Sequence, residues 1–260
     1  GLAIIKNAKS SKMGRKDIIK IEGNLDVDLN VLGVLDHKIT INFIKDNRWK
    51  YITKGLKNTL IIAIFSAILG IILGFLVAFV RVTHDRTGKI KLLNRVCKLY
   101  LTVVRGTPMM IQLLIMYYVI FKSVNVDKVL VAVLAFAVNS GAYVAEILRS
   151  GIMSVDNGQF EAGRSLGLTY KVTMMSIILP QAVKNVLPAL CNEFITLLKE
   201  TSICGYIGLN DLTRGGDIIR SNTFDAFMPL ILVAIIYLFF VQLLTMGVAA
   251  MERSLRKNER

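Results

Sequence analysis

The chain has 260 residues, 54% of them hydrophobic, and still carries a formal net charge of +14. Soluble globular domains rarely combine the two, so apolar content and charge must be segregated along the sequence. Nucleic-acid binding is excluded because no basic helix, aromatic-studded sheet or zinc pattern accompanies the charge. Cys97, Cys191 and Cys204 are scattered and His37 and His84 lie far apart, which leaves no disulfide framework, no metal site and no catalytic histidine.

Residues 1–45 form a polar segment with short alternating stretches such as Asp26-Val27-Asp28-Leu29-Asn30-Val31, too brief to decide between an edge strand and a tail. Its Lys-rich start has no apolar core and does not read as a signal peptide; no function is assigned to it. Ile44, Trp49, Ile52 and Leu56, with Lys and Arg between them, predict a short helix at the membrane interface over 44–57, where Trp is favoured. Leu60 to Val80 and Phe227 to Met251 hold no charged residue. Each run is long enough to cross a hydrocarbon core of about 30 Å at about 1.5 Å per helical residue. The spans are predicted at about 56–80, 92–121, 129–152, 180–199 and 227–251, an all-α polytopic membrane protein. Arg105-Gly106-Thr107-Pro108 interrupts the second, because proline cannot donate to the preceding turn and disfavours helix at the residue before it.

Loop charge orients these five spans. Arg81, Arg86, Lys89, Lys91, Arg95 and Lys98 follow the first, Arg149, Arg164 and Lys171 the third, and Arg253, Arg256, Lys257 and Arg260 the last. Those loops are expected to be cytoplasmic, which puts the N-terminus outside and the tail, 252–260, inside. The Lys-rich N-terminal segment dissents, but the bias is strongest in short loops.

Between the third and fourth spans, over 154–176, lies Glu161-Ala162-Gly163-Arg164-Ser165-Leu166-Gly167, then nine residues, then Ile177-Ile178-Leu179-Pro180. This resembles the cytoplasmic-loop signature of permeases in binding-protein-dependent ATP-binding-cassette importers: Glu-Ala-Ala, three residues, Gly, nine residues, Ile-x-Leu-Pro. Gly163 alone departs from it, at a loss of helix propensity of roughly 1 kcal/mol. Val104 to Pro108, Asn139 to Arg149 and Leu198 to Ser202 look like stretches of the polar amino-acid branch, that of histidine, glutamine and arginine permeases, so that the resemblance covers about 45–255. It implies the type I importer permease fold over a transmembrane domain, 46–255, with a cytoplasmic coupling helix, in the plasma membrane of a prokaryote. It also implies ATP-binding-cassette ATPase subunits, an extracytoplasmic amino-acid-binding protein and a second permease subunit, identical or a paralogue, as partners. No Gly-x-x-x-x-Gly-Lys-Ser/Thr loop occurs in the sequence, so ATP is expected on the partner ATPase, with no cofactor in this chain and no catalytic role for it.

In the loop, Ser154 is expected to cap a helix over Val155 to Leu166, with Thr169 or Pro180 opening the next. The resemblance makes Glu161 the polar contact to the ATPase, gives Ala162 and Gly163 close packing, and has Gly167 hold the bend. Ionisable residues inside spans are costly and point to function, which singles out Glu193 as an anionic partner for an α-amino group or a cationic side chain. Asn139, Ser140 and Tyr143 in the third span, with Asn139 and Tyr143 on one face as i and i+4, and Gln112 one turn beyond Pro108 complete a polar lining. Arg105 is expected to anchor the kink, and Glu146 to pair with Arg149. A permease of the same family for another solute is the alternative; a secondary transporter is disfavoured because no internal repeat is visible.

Overall fold

In the computed structural model residues 31–257 are described, and every regular element among them is helical. Of the polar segment over 1–45, residues 1–30 lie outside the described residues; the rest forms α1 (Val31–Ile39) and a π-turn, Thr40–Ile44. The chain then reverses at Asp46 and Asn47, whose φ angles of 56° and 54° are left-handed, a conformation that Asp and Asn accept better than other non-glycine residues. Arg48 fixes the reversal by donating to Ile41 O at 2.8 Å and to Asp46 Oδ2 at 2.9 Å. Helix α2 (Trp49–Thr87) follows without interruption and ends on Gly88 at φ 67°. No separate interfacial helix exists over 44–57: no proline punctuates the sequence there, so from Trp49 the chain is already the first turns of α2. Its 39 residues make it about 58 Å long.

The break foreseen at 105–108 is sharp. Helix α3 (Lys91–Gly106) stops before the extended Thr107 and Pro108, and α4 (Met109–Ile115, continued by a π-turn over Met116–Ile120) leaves at 109° to it. The Gln112 side chain staples the bend, sharing its N–H groups among Val104 O at 2.7 Å, Thr107 O at 3.1 Å and Thr107 Oγ1 at 2.8 Å. After it come α5 (Lys128–Met153), α6 (Asn157–Ser165), α7 (Tyr170–Thr173), a π-turn over Met174–Ile178, α8 (Leu179–Glu200), α9 (Leu212–Thr223) and α10 (Phe227–Lys257). Four helical stretches among the described residues are long and apolar enough to cross a membrane, and the bent pair α3 and α4 brings the number to five if the pair is counted as one broken span.

Helix α5 is the axis of the bundle. It runs parallel to α2, with Ser66 Oγ donating to Val133 O at 3.1 Å near one end and Arg149 facing Asp85 at the other. Between them the backbones close on glycine: a Cβ at Gly74 would meet Val144 Cγ1 at 2.5 Å, and one at Gly70 would meet Ser140 at 3.2 Å. Small residues permit such close packing where lipid supplies no hydrophobic drive. Helix α8 lies antiparallel to α5, and a Cβ at Gly151 would overlap Val186 of α8. The core between them holds Ile62, Leu113, Phe136 and Leu197. By contrast α10 leaves Phe239, Leu243 and Met246 exposed, as befits a helix facing lipid or a second subunit.

At the opposite end from the α6–α7 loop, Leu212 and Ile219 of α9 pack with Ile52 at the start of α2 and Val233 of α10. Fully buried Asp211 caps α9 by accepting from Arg214 N at 2.6 Å, and it ties the preceding turn to the helix by accepting from Gly205 N at 3.2 Å. Burial pushes its carboxyl up to about 6, against the pull of those backbone N–H groups.

Candidate functional site

Two groups of residues are singled out in the sequence, and the fold places them at different levels of α5 and α8, the two helices that the α6–α7 hairpin connects. The first is polar and lies near mid-span. Asn139 and Ser140, both buried, sit halfway along α5. Ser140 Oγ donates to Glu193 Oε1 of α8 at 2.9 Å, and Asn139 Nδ2 donates to Gln112 Oε1 of α4 at 3.0 Å. Helices α4, α5 and α8 are therefore joined by side chains at one level. Among the ion pairs of the described residues none involves Glu193, whose side chain accepts from Ser140 Oγ.

Tyr143 does not join this group. It is one turn further along α5 and 38% exposed, whereas Asn139 is buried, so the two do not share the buried side of the helix. Its ring is covered instead by Arg105, whose guanidinium lies 5.6 Å from the centroid. Arg105 also approaches Glu146 Oε2 at 3.7 Å, and Glu146 takes a 2.8 Å hydrogen bond from Arg149. Gln112 proves to be a structural staple as well as a member of the polar level, since its amide nitrogen is committed to the α3–α4 break.

The second group is the hairpin of α6 and α7. Its cap is Asp156, which accepts from Gly158 N at 2.7 Å, and the helix begins at Asn157. Ser154 is not the cap: it still has helical φ and ψ at the end of α5, and its hydroxyl donates to Gly151 O at 2.8 Å. An N-cap needs extended backbone, which Asp156 has at ψ 131°. Thr169 caps α7 by accepting from Val172 N at 3.4 Å. Gly167 closes α6 with φ +73°, a left-handed turn in which a Cβ would meet no neighbour, so the need for glycine is conformational.

Gly163 packs closely within the hairpin itself. It faces inward, where a Cβ would stand 2.6 Å from both Cγ2 and Oγ1 of Thr173. Thr173 is buried and its hydroxyl donates to Thr169 O at 3.2 Å. The departure from alanine at 163 is thus matched by a branched side chain at 173. Glu161 and Ala162 remain exposed on the outer side. So does Leu166, at 75%, with Tyr170 stacked on Phe160 beside it. Sequence reasoning passed over Leu166 and Tyr170; large apolar side chains inside a polar loop are the signal that marks them.

Residues 70–257, which include every residue of both groups, match the family described as "Binding-protein-dependent transport system inner membrane component". The chain belongs to that family. Among its relatives is the arginine transport system permease protein ArtQ of Bacillus subtilis, 39% identical over 211 residues that cover 80% of this chain and 94% of that one. The putative glutamine transport system permease protein GlnP of Rickettsia typhi is 36% identical, with 80% and 94% covered. A crystal structure of an amino acid ABC transporter with histidines superposes with a TM-score of 0.74 at 38% identity, covering 86% of this permease and 97% of that chain. The fold is therefore that of an importer permease, and the protein is a multi-pass membrane component of a transport system. Residues 1–54 separately match the aspartate carbamoyltransferase regulatory chain, allosteric domain, a likeness that ends in the first turns of α2.

Proposed function

We propose that this permease is the translocation subunit of a polar amino-acid importer driven by ATP hydrolysis in a separate subunit. The observation that carries the proposal is the Ser140–Glu193 hydrogen bond, because it joins the two helices that the α6–α7 hairpin connects. The hairpin leaves the end of α5 and returns as α8, and those helices meet first at Gly151 and Val186. From Gly151 to Ser140 is about 16 Å along α5. A rotation applied to a hairpin made rigid by Gly163, Thr173 and Gly167 pivots α5 against α8 at that contact and opens or closes the polar level beyond it.

The chemistry of that level suits a zwitterion. Glu193 offers a carboxylate to an α-ammonium or a cationic side chain, and Ser140 and Asn139 offer hydroxyl and amide groups that bond without fixing charge. Relatives named for arginine and glutamine agree with such a site. Glu161, Ala162 and Leu166 form the outer face of the hairpin, which we assign to the ATPase; ATP is bound there, on the partner. Loop charge supports a cytoplasmic hairpin and tail with the N-terminus outside, and kinship with bacterial relatives supports the plasma membrane of a prokaryote. An extracytoplasmic amino-acid-binding protein and a second permease, identical or a paralogue, complete the assembly.

Glu193→Gln tests the proposal. Uptake of cationic amino acids by the reconstituted transporter is expected to fall further than uptake of neutral ones; equal, unchanged uptake of both would remove Glu193 from the path.

A further inference from the structure

Helix α3 carries two stripes that neither the path nor the hairpin uses. Lys91, Arg95, Lys98 and Arg105 recur at helical spacing along one side. Next to them Leu92, Val96, Leu99 and Val103 form a bare apolar side, each more than half exposed. A helix with a basic side and a bare apolar side belongs at a membrane interface, and α3 is set across the bundle by its 109° bend to α4.

The basic side borders a cleft of about 440 Å³ between α2, α3 and α5, lined by Arg81, Lys98, Thr102, Arg105 and Glu146. Its cations outnumber its acceptors. Arg81 donates to Asn94 Oδ1 at 3.2 Å, and its buried Nε has no acceptor among the described residues. Glu146 is already shared by Arg149 and Arg105, and Asp85 faces Arg149 at 3.7 Å. Lys98 pairs with nothing among the described residues. The unmet demand is for an anionic, multi-oxygen acceptor that reaches the cleft from the apolar side of α3.

We infer that this cleft binds the phosphate of an anionic phospholipid, whose acyl chains lie along Leu92, Val96, Leu99 and Val103. Basic pockets between transmembrane helices take such headgroups, and each cation near the surface contributes about a fivefold gain in affinity. The inference holds whichever way the chain is oriented.

The test uses the purified full chain in a non-ionic detergent, with equimolar dioleoylphosphatidylglycerol and dioleoylphosphatidylcholine, read by native mass spectrometry. Phosphatidylglycerol is expected to be retained in preference, with retention weakened about fivefold by Lys98→Gln or Arg105→Gln. The triple variant that adds Arg81→Gln should lose on the order of a hundredfold. Lys54→Gln, Lys57→Gln and Lys122→Gln together remove the same charge away from the cleft and should change nothing. Equal retention by the triple variant and the native chain would overturn the inference. So would displacement of the lipid by millimolar inorganic phosphate, which would make the ligand a free anion. If the triple variant fails to insert, Lys98→Gln decides alone, since that side chain is exposed and forms no ion pair among the described residues.

Discussion

Replacing Gly163 by alanine sets two effects of known size against each other. Alanine gains about 1 kcal/mol over glycine in a helix interior. The added methyl, however, would stand 2.6 Å from two atoms of Thr173, where ordinary contacts lie at about 3.5–4.0 Å. Helices α6 and α7 must then part by about 1 Å, and overpacking of that kind costs about 1–3 kcal/mol. The balance is a loss of between about 0 and 2 kcal/mol, concentrated in the hairpin that we assign to coupling. Thr173→Ala removes both offending atoms and leaves only the Thr173 Cβ, at 3.2 Å, so the pair of changes should recover most of the loss. The assay is amino acid taken up per ATP hydrolysed in proteoliposomes containing the permease, its ATPase and its binding protein. Gly163→Ala is expected to lower that ratio several-fold, and Gly163→Ala with Thr173→Ala to restore it. A single variant better coupled than the native chain, or a double variant no better than an impaired single, would refute the reasoning.

Gly151→Ala should likewise impair coupling, by separating α5 from α8 where its methyl overlaps Val186, and Val186→Ala should restore it; failure of that rescue in the same uptake assay would remove the pivot. Gln112→Leu leaves Val104 O and Thr107 O without their side-chain donor and should cost about 1–3 kcal/mol. Thermal unfolding in detergent checks it, and an unchanged midpoint would show that the bend needs no staple. Asp211 gives a pH dependence whose sign is fixed. Its folded-state value of about 6 lies above the ordinary 3.8, so its contribution to stability is full below about 3.8 and is lost as pH rises through about 6. The melting temperature of the native chain relative to Asp211→Asn should therefore be higher at pH 4.5 than at pH 7, and a difference independent of pH would contradict the burial of that carboxyl.

What the sequence made legible was whatever depends on local spacing. Uncharged runs located α2 and α10, Pro108 marked the bend, and Gly167 marked the turn at the end of α6, because each is decided within a few residues. Pairings across the fold were out of reach. Ser140 and Glu193 stood out singly as polar groups in spans, but that they bond to each other depends on α8 running antiparallel to α5. The motif marks Gly163 for close packing, but not against what, because its neighbour Thr173 is brought over it by the turn at Gly167. Ser154 and Asp156 are both competent caps, and only the backbone conformation chose between them. The α2–α5 contact through Gly70 and Gly74 carried no signal beyond two glycines in an apolar run, since tight backbone approach is a property of the pair.

The central claim is tested most directly by uptake of a radiolabelled amino-acid panel into proteoliposomes holding this permease, its ATPase and its binding protein, with and without ATP on the ATPase side. The account predicts uptake of polar amino acids that requires both partners and ATP. Uptake without ATP that follows an imposed ion gradient would contradict it.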